Sequence, residues 1–190
     1  MLKNKYIKME NKDLKLDFSF KTERLIINQY NLPDTANNHV FAEDIIKILT
    51  PNVTKALPNG WQNINTESKA LHWIKERDEE SVVLLVESSS GNNLIGFIFL
   101  YPVILKNNQM DIRFGYLLSE TYWGKGLGAE LINGLVKKCQ DLDCIKSISG
   151  GVEKDNIASK KVLEKCGFHA IHNEEDKAVV FYEKNLSDED

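Results

Sequence analysis

Residues 110–140 read "MDIRFGYLLSETYWGKGLGAELINGLVKKCQ". The first part is a β-rich run. The last part carries Leu127, Leu131, Leu135 and Cys139 four residues apart, the apolar stripe of an amphipathic helix. Between them Gly124, Gly126 and Gly128 stand at alternate positions, although glycine loses more conformational freedom on ordering than any other residue. A turn that ends a strand and opens a helix presents free backbone N–H groups and the positive end of the helix dipole, a preformed anion site. Glycines there let the backbone approach a bulky anion and take up positive φ without a Cβ clash. The segment therefore reads as strand, then either a phosphate cradle or glycines that only permit a tight turn, then helix. The short strand "CIKSISGGV" (144–152) follows, so the unit is a parallel crossover.

Upstream, "SVVLLVES" (81–88) and "NLIGFIFLYPVIL" (93–105) are two more β-rich runs, set apart by the turn chemistry of "SSGNN" and "KNNQ". Consecutive strands with such short links pair antiparallel. "SFKTERLIINQY" (19–30) holds a strand at Leu25 to Ile27. "LPDTANNHVFAEDIIKILT" (32–50) reads as a helix with Pro33 near its start and Pro51 beyond its end. "NINTESKALHWIKERDEE" (63–80) reads as a second helix with Leu71 and Ile74 on its inner face. Downstream, "DNIASKKVLEKCGF" (155–168) is a helix capped by Asp155 or Asn156 and closed by Gly167. "HAIHNEEDKAVVFYEKNL" (169–186) is a hairpin turning near Asn173 to Lys177. The order is strand, two helices, three strands, helix, strand, helix, two strands. It predicts an α/β (α+β) fold with a mixed, mostly antiparallel sheet of about seven strands and helices on both faces.

At 190 residues, 42% hydrophobic and 27% charged, the chain suits one globular domain. The expected division is an extension at 1–19, a domain at 20–186 and an acidic tail, "SDED", at 187–190. A formal net charge of −4 argues against a dedicated nucleic-acid binder, and no apolar run approaches the ~20 residues of a membrane span. The Lys-rich start has no apolar segment of a secretory leader. Cys139, Cys144 and Cys166 form no CxxC pair, and two of them fall on apolar helical positions, so buried reduced thiols and a cytoplasmic setting are expected. His169 and His172, three apart in a strand, point to opposite faces, so no metal site is expected there.

The glycine register is G-x-G-x-G, which is neither the P-loop nor the G-x-G-x-x-G of a dinucleotide fold. Asn156 follows Gly124 by 32 residues, across one helix and one strand. In a parallel crossover both helix N-termini lie at one sheet edge, so the two motifs can meet on one ligand. "YLLSETYWGKGLGAEL" followed by "NIASKKVLEKCGF" resembles the GNAT superfamily of acetyl-CoA-dependent N-acetyltransferases. With "TERLIINQY" and "TKALPNGW" it is similar to the bacterial ribosomal-protein N-terminal acetyltransferase (RimJ/RimL-like) branch. The likeness runs from about residue 20 to 185.

The resemblance implies that the fourth strand splays from the fifth and that the pantetheine arm of acetyl-CoA lies in the gap, along Tyr116, Leu117 and Leu118. It implies that the pyrophosphate sits on the backbone N–H groups of Gly124, Lys125, Gly126, Leu127, Gly128 and Ala129. Asn156 matches the asparagine that contacts the pantetheine side, and its other role is a helix N-cap. Trp123 replaces the Arg or Gln that begins the broad motif. Leu163 stands where many members carry a tyrosine acid, and Ser159 matches the serine of the branch, a donor to the leaving thiolate. Arg113 stands at the place of a branch glutamate, so the base is open. Asp111, on the same strand face, acts as base or pairs with Arg113, and Glu153 is a second carboxylate.

The implied reaction is direct attack of a primary amine on the thioester, without a covalent acyl-enzyme and without a metal. Cys166 is expected in the core. Gly150 and Gly151 either leave room for the acyl-pantetheine end or mark a bulge. Trp61, Trp73, Tyr101 and Phe114 either wall an acceptor pocket or pack in the core. The acceptor is a protein N-terminus, such as that of a ribosomal protein, or a small amine, and a homodimer is compatible with the branch. The rival reading is a coenzyme A-binding sensor or partner-binding module without catalysis.

Overall fold

The structure, a computed structural model, describes residues 16–31, 38–55, 57–105, 109–171 and 178–186. Its strands are β1 (Phe20–Lys21), β2 (Leu25–Gln29), β3 (Val82–Ser88), β4 (Leu94–Ile104), β5 (Met110–Leu118), β6 (Ile145–Glu153), β7 (His169–Ile171) and β8 (Val179–Asn185). The helices are α1 (Asn38–Ile48), α2 (Pro51–Thr54), α3 (Glu67–Glu80), α4 (Leu127–Gln140) and α5 (Ile157–Lys165). One eight-stranded sheet runs β1-β2-β3-β4-β5-β6-β8-β7. Among the described residues only β5 and β6 pair parallel, across the α4 crossover. The fold is thus the mixed α/β sheet expected, with one strand more than the seven read from the sequence. The addition is β1, whose two residues pair Phe20 with Ile27 and Lys21 with Ile26 and are too short to leave a pattern.

Helices cover both faces. On one, Leu131, Ile132, Leu135 and Cys139 of α4 and Leu163 of α5 pack against Ile98, Leu100, Ile112 and Ile148. On the other, Ala42, Ile45, Ile48, Trp73 and Ile74 pack against Val83, Phe97, Phe99 and Leu117. Central β4 is buried on both sides, so Phe97 and Phe99 serve one core while Ile98 and Leu100 serve the other.

Two helical expectations shift. Pro51 does not merely follow a helix: it takes the first position of α2, where its missing N–H costs nothing, with Thr50 as N-cap. Pro33 lies outside the described residues. Helix α3 begins after Thr66, whose side chain accepts from Lys69 N–H, and its buried face is Ala70, Trp73, Ile74 and Arg77. Leu71 is only half-buried, because the large Trp73 ring takes the sheet-facing position, edge-on to Phe97 at 5.4 Å. The α4 stripe holds in full, with Leu127, Leu131, Leu135 and Cys139 all buried. Asn156 caps α5, and Gly167 closes it at φ +79°. The final hairpin pairs Ile171 with Phe181, and its expected turn at 173–177 lies outside the described residues.

Candidate active site

Strands β5 and β6 run side by side from Met110/Ile145 to Phe114/Gly150 and no further. Beyond that point β5 stays with β4 as far as Leu118/Gly96, and β6 stays with β8 as far as Glu153/Val179. The two strands have parted. Met110 N–H bonds to the Cys144 carbonyl on the β6 side, and Ser119 N–H bonds to the Ile95 carbonyl on the β4 side. Strand alternation then turns the N–H and C=O of Tyr116 and Leu118 into the gap and those of Leu117 toward β4. The Trp123 indole N–H donates to the Leu118 carbonyl at 2.8 Å, tying the loop to the strand end. That gives Trp123 a role at the position where the broad motif has Arg or Gln.

The loop that follows opens α4. Gly124 at φ +71° and Gly126 at φ +78° are left-handed, a conformation costly for any residue with a Cβ. Gly126 is the N-cap and brings no side-chain acceptor, so the first-turn N–H groups of α4 keep no cap of their own. An added Cβ at Gly124 would meet nothing within 4 Å. Gly128 serves differently: its missing Cβ would stand 3.5 Å from Val162 Cγ2, so it lets α4 and α5 lie close. Lys125 Nζ lies 5.2 Å over the Tyr122 ring. Leu127 is buried in the core and Ala129 is half-buried beside it.

The sequence reading assigned no part in the site to Arg24, Thr22 and Glu130. Glu130 accepts from Thr22 Oγ1 at 2.6 Å, from Arg24 N–H at 2.8 Å and from Arg24 Nε at 2.7 Å. Arg24 Nη1 then donates to the Lys125 carbonyl at 3.0 Å, inside the glycine loop. Burial works against the Glu130 charge, but these donors and the guanidinium together hold its carboxyl below the usual value. The only available signal was the "TER" at 22–24, which spacing alone could not join to a residue 106 positions on.

Across the gap, Asn156 Oδ1 accepts from Ser159 N–H at 3.1 Å, which makes it the N-cap of α5. The Tyr116 hydroxyl donates to Ser159 Oγ at 3.5 Å. Burial pushes the Tyr116 phenol up from its ordinary value, with the Ser159 bond a smaller opposing effect, so it is protonated at neutral pH. Tyr116, Asn156 and Ser159 are therefore together on the α5 side, next to the glycine loop. Leu163 is in the core at 1% exposure. Asp111 stands apart, three residues before Phe114 and on the other face of β5 from Tyr116. Its Oδ1 accepts from Ser147 Oγ at 2.8 Å. No Asp111–Arg113 ion pair is present among the described residues.

The two-glycine reading changes. Neither glycine marks a bulge, since β6 pairs with β8 in unbroken register through both. Nor does either face vacant space. An added Cβ at Gly150 would lie 3.2 Å from the Phe114 carbonyl, and at Gly151 3.1 Å from Val179 Cγ1. Cross-strand neighbours have filled the room. Trp73 and Phe114 are core residues, whereas Trp61 and Tyr101 are half-buried on the α1–α3 face. Cys166 is buried with Sγ 3.5 Å from the Ala129 carbonyl, and burial raises its thiol pKa. Among the described residues no three His, Cys, Asp or Glu side chains cluster as metal ligands, and no helix is long and apolar enough to cross a membrane.

The profile of the acetyltransferase (GNAT) domain matches residues 24–169. The chain is 33% identical over 94 residues to the probable N-acetyltransferase YjcK of Bacillus subtilis, a match that spans 50% of this chain and 51% of that relative. Among solved structures it superposes on a GNAT-family acetyltransferase from Bacillus anthracis with a TM-score of 0.69 at 17% identity, covering 90% of this chain and 99% of the other. It also superposes on RimL, the ribosomal L7/L12 α-N-protein acetyltransferase in complex with coenzyme A, with a TM-score of 0.64 at 15% identity over 86% and 95% of the two chains. Parted strands, a left-handed glycine loop and a domain-wide profile match agree: the chain belongs to the GNAT acetyltransferase family.

Proposed function

We propose that the protein is an acetyl-CoA-dependent N-acetyltransferase acting on a primary amine by direct attack in a ternary complex. The observation that carries this is the convergence at one sheet edge of an unpaired β5 edge and the uncapped N-terminus of α4. The first suits a pantetheine arm, which carries amides, and the second suits a pyrophosphate. In this reading the backbone groups of Tyr116 and the N–H of Leu118, whose carbonyl already takes the Trp123 indole N–H, hold the arm, with Leu117 between them. The N–H groups of residues 124–129 hold the phosphates, and Asn156 frames the arm from α5. Bound acetyl-CoA supplies an activated acetyl thioester.

The chemistry asked of the chain is limited. The amine nitrogen bonds to the thioester carbon, the C–S bond breaks, sulfur leaves with the electron pair and the amine gives up a proton. Ser159 accepts a hydrogen bond from Tyr116, which leaves its own O–H free to donate to the departing sulfur. Asp111 takes the amine proton only through water, since three residues of strand put it ~10 Å from the parting of the strands. A pH–rate profile unchanged in Asp111→Asn would remove it.

The acceptor is assigned to the α1–α3 face of β5. There Gly115 is open, with no atom within 4 Å of an added Cβ, and its strand partner Phe99 carries the Trp61 ring at 4.8 Å. A protein N-terminus, as in the RimJ/RimL-like branch, is the acceptor class favoured by the motif resemblance and by the RimL likeness in fold. Free thiol release from acetyl-CoA is the test, measured with N-terminal peptides and with small amines. Peptide-dependent release supports the finer reading, and release with small amines alone confines the protein to those. The reading of a coenzyme A-binding module rests on Leu163, a core residue at the place of the common acid. Binding with no release from any amine would establish it.

A further inference from the structure

We propose that Arg24, set by Glu130, is a positioning residue for the pyrophosphate of coenzyme A: it fixes the direction of the Lys125–Gly126 peptide in the glycine loop. This rests on the acetyltransferase reading above and adds a part of the site that lies 101 residues from Lys125 in sequence.

The support is built from both ends. Arg24 occupies the turn between β1 and β2, where Thr22 N–H bonds to the Leu25 carbonyl and Ser89 N–H bonds to the Arg24 carbonyl. Its backbone is thus fixed to the sheet. Its guanidinium grips one Glu130 oxygen, Oε2, from Nε at 2.7 Å and Nη2 at 2.6 Å, a charge-assisted contact made by two edges of a rigid plane. Thr22 Oγ1 and Arg24 N–H add two more bonds to the same carboxylate. Nη1 is then aimed at the Lys125 carbonyl. In a trans peptide C=O and N–H point in opposite directions, so holding that carbonyl directs the Gly126 N–H away from Arg24. Gly126 has no Cβ to restrict its φ, so this hold acts on a peptide whose helix side is otherwise set only through the Gly126 carbonyl, which accepts from Glu130 N–H at 3.2 Å. Gly126 lies against the same guanidinium, since a Cβ there would stand in ordinary contact with Nη2 at 3.7 Å, and it is the left-handed φ of +78° that calls for glycine.

Charge and position predict opposite signs for one variant. Glu130→Ala removes a negative charge from the first turn of α4, which by electrostatics alone tightens an anion at that terminus. It also releases the guanidinium, which by positioning weakens the anion. Calorimetric binding of coenzyme A and dephospho-coenzyme A, which share the pyrophosphate, distinguishes the two accounts. Expected are a loss of about tenfold or more in affinity for both ligands in Glu130→Ala and in Arg24→Lys, the worth of one charge-assisted hydrogen bond. Glu130→Gln keeps one acceptor oxygen, enough for either Thr22 and the Arg24 N–H or the guanidinium but not for both, so it should also lose affinity for both ligands, by less than Glu130→Ala.

Comparison is confined to variants whose unliganded melting shows a folded state, and Glu130→Gln carries the test if the other two do not fold. In that case a severalfold or greater loss shared by the two ligands supports the hold on Arg24, and Gln affinity at or above wild type, the outcome of electrostatics alone, overturns it. Equal or tighter binding in folded Glu130→Ala overturns the proposal. So does a loss seen with coenzyme A but absent with dephospho-coenzyme A, which would place Arg24 on the 3′-phosphate. Wild type that binds neither ligand overturns the acetyltransferase reading itself, and with it this one.

Discussion

Gly96 is where the structure makes its sharpest quantitative demand. It lies in β4 opposite Leu118, and an added Cβ would stand 2.3 Å from the Leu117 carbonyl oxygen, 2.7 Å from Leu118 Cδ2 and 3.2 Å from Leu118 Cα. Ordinary contact begins near 3.4 Å, so Gly96→Ala requires the backbone of β5 to retreat by about 1 Å. Retreat from β4 carries Leu117 and Leu118 into the gap that separates β5 from β6. Overpacking of this kind costs about 1–3 kcal/mol, and relief of glycine's entropy cost returns about 0.5–1 kcal/mol. The net loss is therefore roughly 0–2.5 kcal/mol, a fall in Tm of up to about 10 °C at this chain length. The stronger expectation is functional: the displaced strand narrows the pantetheine channel, so affinity for coenzyme A falls by more than the stability change explains. Gly115→Ala is the control, since its Cβ meets nothing within 4 Å. Melting and titration calorimetry on both variants provide the assay. Gly96→Ala with wild-type affinity for coenzyme A would refute the reasoning about the gap.

Three other expectations concern chemistry and charge. Ser159→Ala should slow thiol release by roughly 10- to 100-fold while coenzyme A still binds, because the α5 cap uses the Ser159 N–H and survives the change. Tyr116→Phe should slow it less, and unchanged kcat in Ser159→Ala removes the serine from the mechanism. Gly126→Ala should cost about 1–2 kcal/mol from its left-handed φ alone, with no clash to blame, and should weaken coenzyme A. Because Glu130 has its folded pKa held below the ordinary 4.5, its stabilisation is complete above that value and is lost as pH falls through the folded one. Wild type should therefore lose Tm more steeply than Glu130→Gln between about pH 5 and 3, and parallel curves would contradict the pairing.

Much of this fold is written in local pattern. The three middle strands, the four-residue stripe of α4, the parallel crossover and the capped α5 all follow from spacing that a short window contains. What escaped is what a window does not hold. Strand β1 has two residues and exists only because Ile26 and Ile27 offer it an edge. Helix α3 is rotated because Trp73 outweighs Leu71 in the competition for the sheet face. The glycine triplet read as one device divides in two, with Gly124 and Gly126 setting φ and Gly128 setting the distance to Val162. Gly150 and Gly151 looked like space, but Phe114 and Val179, brought across by strand pairing, occupy it. Arg24–Glu130 and Tyr116–Ser159 join residues 106 and 43 positions apart, a distance at which only tertiary structure decides who meets whom.

The central claim is that the glycine loop and the parted strands together hold coenzyme A. Thermal melting with acetyl-CoA, coenzyme A, ATP and NAD in parallel tests it most directly. A ligand present at 100 times its dissociation constant and bound only by the folded state adds about 2.7 kcal/mol, or roughly 5–11 °C in Tm for a chain of this length. The account predicts that shift with the two coenzyme A forms and none with ATP or NAD. No shift with either coenzyme A form would contradict it and return the glycines to the role of turn-makers.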